Sequence, residues 1–252
     1  MNDTMKSIYL AGEILKNEFF NLNTYCTKEK YDLVTKSDYL IESILVEHIS
    51  KEYPEDSIFS EERGQINDLS ERRWIIDPID GTANFVFGVP YFCISLCLIQ
   101  NSKPVEAYVY NPLSNEFYYT DENIKKSFLN NNEINVSDNI EISESIGVFG
   151  FSANTKNIKR YLQEWELVFE KAKKGLPLLS PALNICNVAR GRIDFFIDFG
   201  SNMEGHCASS LILKNAGGKT YNYDFTVWNY ESKGIIASNG KVPLSDYKNV
   251  NT

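Results

Sequence analysis

Met5, Ile8, Gly12, Leu15 and Phe19 recur every three or four residues, which predicts an amphipathic helix over much of residues 3–21. Asn21-Leu22-Asn23-Thr24 ends it, and the polar, lysine-bearing residues 24–31 have the character of a loop. Ile41, Ile44, Leu45, His48 and Ile49 form a second helical face, with Thr35, Ser37 or Asp38 as its N-cap and His48 as a core or boundary residue. Tyr53-Pro54 closes that helix. Ser57-Ile58-Phe59 predicts a short strand running into Ser60-Glu61-Glu62, followed by a polar loop over 63–73. The apolar run Trp74-Ile75-Ile76 predicts a buried strand. Beyond Phe85 the pattern is β-rich, with strands expected at 92–99, 105–110, 116–120 and 134–137 and turns at Asn111-Pro112, Ser114-Asn115 and Asn130-Asn131-Asn132.

A strand is expected at 146–151, then a helix whose stripe is Ile158, Tyr161, Leu162, Trp165, Val168, Phe169 and Ala172. Pro181 suits the first turn of another helix, with Ser180 as cap and Gly191 just past its end. A strand at 193–199, a helix at 204–215 stopped by Ala216-Gly217-Gly218, and strands at 219–221 and 234–238 complete the chain. Alternating helices and strands predict a mixed α/β protein. The acidic, serine-rich stretch 138–144 separates an N-terminal half of about 1–140 from a C-terminal half of about 141–252, which together form one domain.

Charge narrows the candidate functions. Against 25 Lys and Arg stand 34 Asp and Glu, a net −9, with no dense basic stripe, which argues against nucleic acid as a partner. The same charge repels a phosphate ester, so a phosphate site in this chain needs bound cations. No apolar run approaches a membrane span, and the N-terminus lacks the basic and apolar regions of a signal peptide. The five cysteines are odd in number and lack zinc spacing, which predicts free thiols and a cytoplasmic location. Two histidines are too few for a histidine-rich transition-metal site.

The chemistry concentrates in Trp74-Ile75-Ile76-Asp77-Pro78-Ile79-Asp80-Gly81-Thr82-Ala83-Asn84-Phe85. An apolar strand there delivers two carboxylates three residues apart, followed by the N–H groups of Gly81 and Thr82. Hard cations take oxygen ligands, and Mg²⁺ in particular is held by a few carboxylates plus substrate phosphate. Alone, Asp-Pro-x-Asp-Gly reads as an ordinary turn, and Glu61-Glu62 as an ordinary solvated pair. The full pattern Trp-x-x-Asp-Pro-x-Asp-Gly-Thr-x-Asn-Phe, however, resembles the first signature of the inositol monophosphatase family of metal-dependent phosphatases. The resemblance covers nearly the whole chain and implies that family's layered αβαβα sandwich, shared with the fructose-1,6-bisphosphatase type.

The resemblance implies roles residue by residue. Glu61 is a metal ligand and base. Asp77 bridges two cations, Asp80 holds the second, and the Ile79 carbonyl binds the first. Asp32-Leu33-Val34-Thr35-x-x-Asp38 matches a further motif, whose last member orients the Thr82 hydroxyl so that Thr82 and Glu61 activate water. Gly81 and Thr82 bind phosphate through their N–H groups, and Asp80 and Asp198 approach the substrate. Two departures qualify this. The second signature normally carries Trp-Asp at the head of its helix, where this chain has Glu204-Gly205, so that Glu204 either replaces the missing aspartate or only favours the helix dipole. Leu179 and Pro181 stand where the family has Gly and a small N–H donor. The expected function is a Mg²⁺-dependent phosphomonoesterase, with two or three cations per site, acting on a small polyol or sugar phosphate. A nucleotide 3′-phosphatase, and a catalytically silent binding protein suggested by Gly205, are the alternatives. A homodimer is implied by the family alone.

Overall fold

The computed structural model describes residues 1–21, 25–29, 32–150, 162, 166, 170–198, 200 and 202–244. Helix α1 (Asp3–Asn21) and α2 (Lys36–Glu52) flank a two-stranded ribbon, β1 (Cys26–Glu29) antiparallel to β2 (Asp32–Val34). Thr35 caps α2: its hydroxyl accepts from the N–H groups of Ser37 and Asp38, and the Asp38 carboxylate bonds back to the Thr35 N–H. The chain continues through β3 (Ser57–Ser60), β4 (Gly64–Asn67), β5 (Arg73–Asp80), the short α3 (Thr82–Val86), β6 (Cys93–Gln100), β7 (Lys103–Asn111), β8 (Glu116–Asp121), β9 (Ser127–Leu129) and β10 (Asn132–Ile134). Strands β3 to β10 form one sheet in the order β10-β9-β8-β7-β6-β5-β3-β4. After β11 (Ile146–Gly150) come β12 (Lys174–Pro177), α4 (Pro181–Ala189), β13 (Phe195–Asp198), α5 (Met203–Asn215), β14 (Lys219–Tyr221) and β15 (Ile235–Ser238). These strands form a second sheet in the order β12-β11-β13-β15-β14.

Strand periodicity explains the layers. On β5, Trp74 and Ile76 point to one face and pack with Ile8 and Leu15 of α1 and Ile41, Leu45 and Ile49 of α2. Ile75 points to the other face and joins Cys97, Ala107 and Val109 against α4 and α5, which in turn cover Val148, Phe196, Ile235 and Ala237 of the second sheet. The far face of that sheet buries Phe149, Phe195, Ile197 and Ile236. The order is therefore helices, sheet, helices, sheet, with a further apolar layer outside. Trp74 is wholly buried, and its indole N–H finds Asp56 Oδ2 at 2.8 Å, which Arg72 also binds at 2.9 Å. Among the described residues no helix is long and apolar enough to cross a membrane.

Several expectations are corrected. Residues 26–29, expected in a loop, form β1, and β4 lies inside the expected 63–73 loop. Both are short and polar, held by backbone pairing with no apolar alternation to betray them. The strand expected at 134–137 instead ends at Ile134, paired with β9 across the asparagine turn. Strand β12, Lys-Gly-Leu-Pro, is an edge strand with no pattern of its own. Ser180 stands at the N-cap of α4 but makes no capping bond with its side chain. The stripe from Ile158 to Phe169, Leu162 apart, lies outside the described residues, as do Phe151 and Phe199. His48 is half-buried, its Nε2 3.3 Å from Thr4 Oγ1.

Candidate active site

A β-strand alternates its side chains, so Asp77 and Asp80, three residues apart, belong on opposite faces. The register of β5 against β6 removes that conflict. Asp77 pairs with Ser95 and Asp80 with Cys93, three steps on one strand against two on the other. The extra residue is a bulge, at a proline that could not have donated to the ladder. It turns both carboxylates toward α5, where they line one cavity of about 190 Å³ with Glu61, Ile79, Gly81, Thr82, Pro181, Asn202, Glu204 and Gly205. β3 runs parallel to β5 with Ser60 beside Ile76, and the Glu61 N–H bonds the Ile76 carbonyl at 3.0 Å, which brings Glu61 to the same end of the sheet. Gly81 has φ +94°, and a Cβ there would stand 2.8 Å from the Leu179 carbonyl, so the turn after Asp80 requires glycine.

The carboxylates are held unequally. Asp80 Oδ2 accepts from the Ala182 N–H at 3.0 Å, from the Ser180 hydroxyl, and from the Cys93 thiol at 3.6 Å. Its Oδ1 faces α5, 3.2 Å from where a Gly205 Cβ would sit. Burial pushes the Asp80 carboxyl up to about 6, against the opposing pull of the Ser180 and Ala182 hydrogen bonds. Asp77 is pushed well above the usual carboxylate range, first by burial and then by the charges of Glu61 and Asp80, and it is within hydrogen-bond reach of Glu61. Burial also raises Glu204 at the head of α5. Asp77 Oδ1 and Glu204 Oε2 are buried and accept no hydrogen bond. The Thr82 hydroxyl donates to the Ile79 carbonyl at 2.9 Å.

Glu61, Asp77, Ile79, Asp80, Gly81, Thr82 and Glu204 are thus brought together. Asp38 and Asp198 are not in the cavity wall. Asp38 is wholly buried at the start of α2, its Oδ2 taken by the Thr35 N–H and hydroxyl, both at 2.7 Å. Asp198 is buried at the end of β13, with Oδ1 accepting from the Gly200 N–H at 2.9 Å and Oδ2 3.7 Å from His206 Nε2. Sequence reasoning missed Ser180, Ala182 and Cys93 as holders of Asp80. Ser180-Pro181 was visible only as a helix start, and nothing local marks that its hydroxyl turns away from its own helix.

Among the described residues no three Asp, Glu, His or Cys side chains converge as a ready-made ligand set. The donor chemistry nonetheless suits a hard cation: all oxygen, mostly carboxylate, with two buried acceptors that make no hydrogen bond.

Comparison with known proteins agrees. The profile described as the inositol monophosphatase family matches residues 3–249. The chain is 34% identical over 220 residues to a Thermotoga maritima protein named fructose-1,6-bisphosphatase/inositol-1-monophosphatase, covering 87% of this chain and 83% of that one. It is 33% identical over 246 residues to a putative Nus factor SuhB of Neisseria meningitidis, covering 96% and 94%. The solved structure of a Thermotoga maritima IMPase superposes with a TM-score of 0.87 at 32% identity, covering 97% of this chain and 93% of that one. Fold and site together define a phosphoric monoester hydrolase. The chain belongs to the inositol monophosphatase family.

Proposed function

We propose that this protein is a Mg²⁺-dependent phosphomonoesterase acting on a small polyol or sugar phosphate. The observation that carries the reading is the pair of buried acceptors without hydrogen bonds, Asp77 Oδ1 and Glu204 Oε2, in a cavity walled by four carboxylates. Such a cavity repels a phosphate dianion unless cations intervene. Glu61, Asp77, Asp80, Glu204 and the Ile79 carbonyl are the groups that would hold them. Bound cations supply charge neutralisation, a more acidic water and stabilisation of the leaving alkoxide.

The chain's own groups do the rest. Asp80 is fixed by its hydrogen bonds to α4, leaving Oδ1 for the cavity. Glu61, exposed at the rim, takes the proton of the attacking water. The Thr82 hydroxyl steers that water, and the Gly81 and Thr82 N–H groups receive the phosphate oxygens. The cavity is small, so the alcohol part of the substrate lies toward its open side, bordered by Pro181 and Asn202. The test is release of inorganic phosphate from polyol, sugar and 3′-nucleotide monophosphates, with Mg²⁺ and with chelator. Magnesium-dependent turnover of a polyol or sugar phosphate supports the reading. Preference for the nucleotide, or no turnover of any ester, rejects it.

Glu204 takes the part of the aspartate that Gly205 lacks. Glu204→Gln is expected to raise the Mg²⁺ concentration for half-maximal binding about three- to tenfold, measured by titration calorimetry, since Mg²⁺ gains from each anionic ligand. Gly205→Asp in the same background should recover part of it, because a Cβ there stands 3.2 Å from Asp80 Oδ1 and 3.9 Å from Asp77 Oδ2. If Glu204 serves only the dipole of α5, the variant loses about 0.3–1 kcal/mol of stability and binds Mg²⁺ unchanged.

A further inference from the structure

Glu61, Glu62 and Arg63 are the three residues joining β3 to β4, whose pairing closes at Ser60 and Gly64. Glu61 sits exposed in that turn, yet has to meet the buried Asp77. Its N–H is tied to the Ile76 carbonyl, which fixes one end of the turn. The other end is fixed from α2. Glu42 there is wholly buried, and both its oxygens face Arg63: Oε1 accepts from the Arg63 main-chain N–H at 3.2 Å, and Oε2 lies 2.7 Å from Arg63 Nε as an ion-pair contact without hydrogen-bond alignment. The guanidinium also reaches Ser43 Oγ at 2.6 Å.

A carboxylate buried on a helix face beside Ile41, Leu45 and Ile49 carries a desolvation cost that an apolar residue would not. What it obtains is a clamp on both the side chain and the backbone of the residue two after Glu61. Resting on the phosphomonoesterase reading above, we propose that Glu42 is a positioning residue that, through Arg63, holds the Glu61 carboxylate in place opposite Asp77. A three-residue turn anchored at only one end spreads its exposed side chain over several rotamers, and a displacement of about 1 Å at a reacting group costs about 10²-fold in rate.

The test uses the whole purified protein with Glu42→Gln, Arg63→Lys and Arg63→Gln, measuring Mg²⁺ affinity by calorimetry, kcat and KM on the best ester of the panel, and thermal unfolding. Glu42→Gln keeps the volume and an oxygen for the Arg63 N–H but loses the ion pair. It is expected to weaken Mg²⁺ binding about tenfold and kcat about 10- to 100-fold with KM within about twofold, because the turn and not the substrate pocket has loosened. Arg63→Lys, which keeps the charge but not the fork, should fall between Glu42→Gln and wild type. Arg63→Gln, altered on the solvent side of the pair, should reproduce the loss even if Glu42→Gln does not fold. A lowered unfolding temperature with Mg²⁺ affinity and kcat unchanged overturns the proposal, since a purely structural clamp does that. A wild-type protein that binds no Mg²⁺ overturns both this proposal and the reading beneath it.

Discussion

Asp80→Asn is expected to lose about 10³-fold or more in kcat/KM while remaining folded, since even residues that merely support a metal ligand cost about 10- to 100-fold. The reason lies in how the two oxygens are divided. Oδ2 faces three donors, the Ser180 hydroxyl, the Ala182 N–H and the Cys93 thiol, so an asparagine settles with its carbonyl there. Its amide NH₂ then faces the cavity, presenting donors where a cation needs an acceptor. The opposite orientation sets NH₂ against the Ala182 N–H and is disfavoured. Volume hardly changes, so circular dichroism and thermal unfolding without metal should match wild type or exceed it. Wild-type turnover in this variant would refute the assignment of Asp80.

The second large effect is on stability. Burial pushes the Asp80 carboxyl of the folded protein up to about 6, against an ordinary 3.8. Between those values the folded chain keeps a proton that the unfolded chain has released, so the stability this carboxyl contributes falls as pH rises through the window, and that contribution is gone above about pH 6. Asp80 is nearly inaccessible, and the difference is worth about 3 kcal/mol, or on the order of 10 °C in unfolding temperature for a chain of this size. Asp77, pushed up more strongly, acts in the same direction. Without divalent cations the protein should therefore unfold at a lower temperature at about pH 7.5 than at about pH 5. On the proposed reading, cations would bind the ionised carboxylates of the folded state and reverse this, so Mg²⁺ should stabilise far more at the higher pH. Calorimetric scans at the two pH values, with chelator and with Mg²⁺, measure the four numbers. A metal-free protein whose stability rises over this interval would show that these carboxyls ionise freely.

Much of this was legible in the chain. The spacing of Met5 to Phe19 marked α1 to its ends, and the apolar run before Asp77 marked β5, because burial on one side imposes a period on the sequence. The edge strands β4 and β12 left no such mark, since they are fixed by hydrogen bonds to a neighbour and not by a face. In the site, adjacency in sequence made Asp77, Asp80, Gly81 and Thr82 readable as a unit. Their common orientation was not, because it depends on a bulge that only the pairing of β5 with β6 defines. Longer-range partners were hidden for the same reason: nothing near Ser180 in sequence speaks of Asp80, a hundred residues away, and nothing near Glu42 speaks of Arg63.

The hold of α4 on Asp80 also orders events in time. A ribosome adding about 5–20 residues per second exposes the Asp77–Thr82 turn on the order of 10 s before α4 and α5 emerge. Through that interval the nascent chain has its first carboxylates but neither the Ser180 and Ala182 donors nor Glu204. With the roles proposed for Asp80 and Glu204, catalytic competence therefore arrives late, as a property of the completed chain. On those same roles, a polypeptide released before residue 182 would be inactive toward phosphate esters.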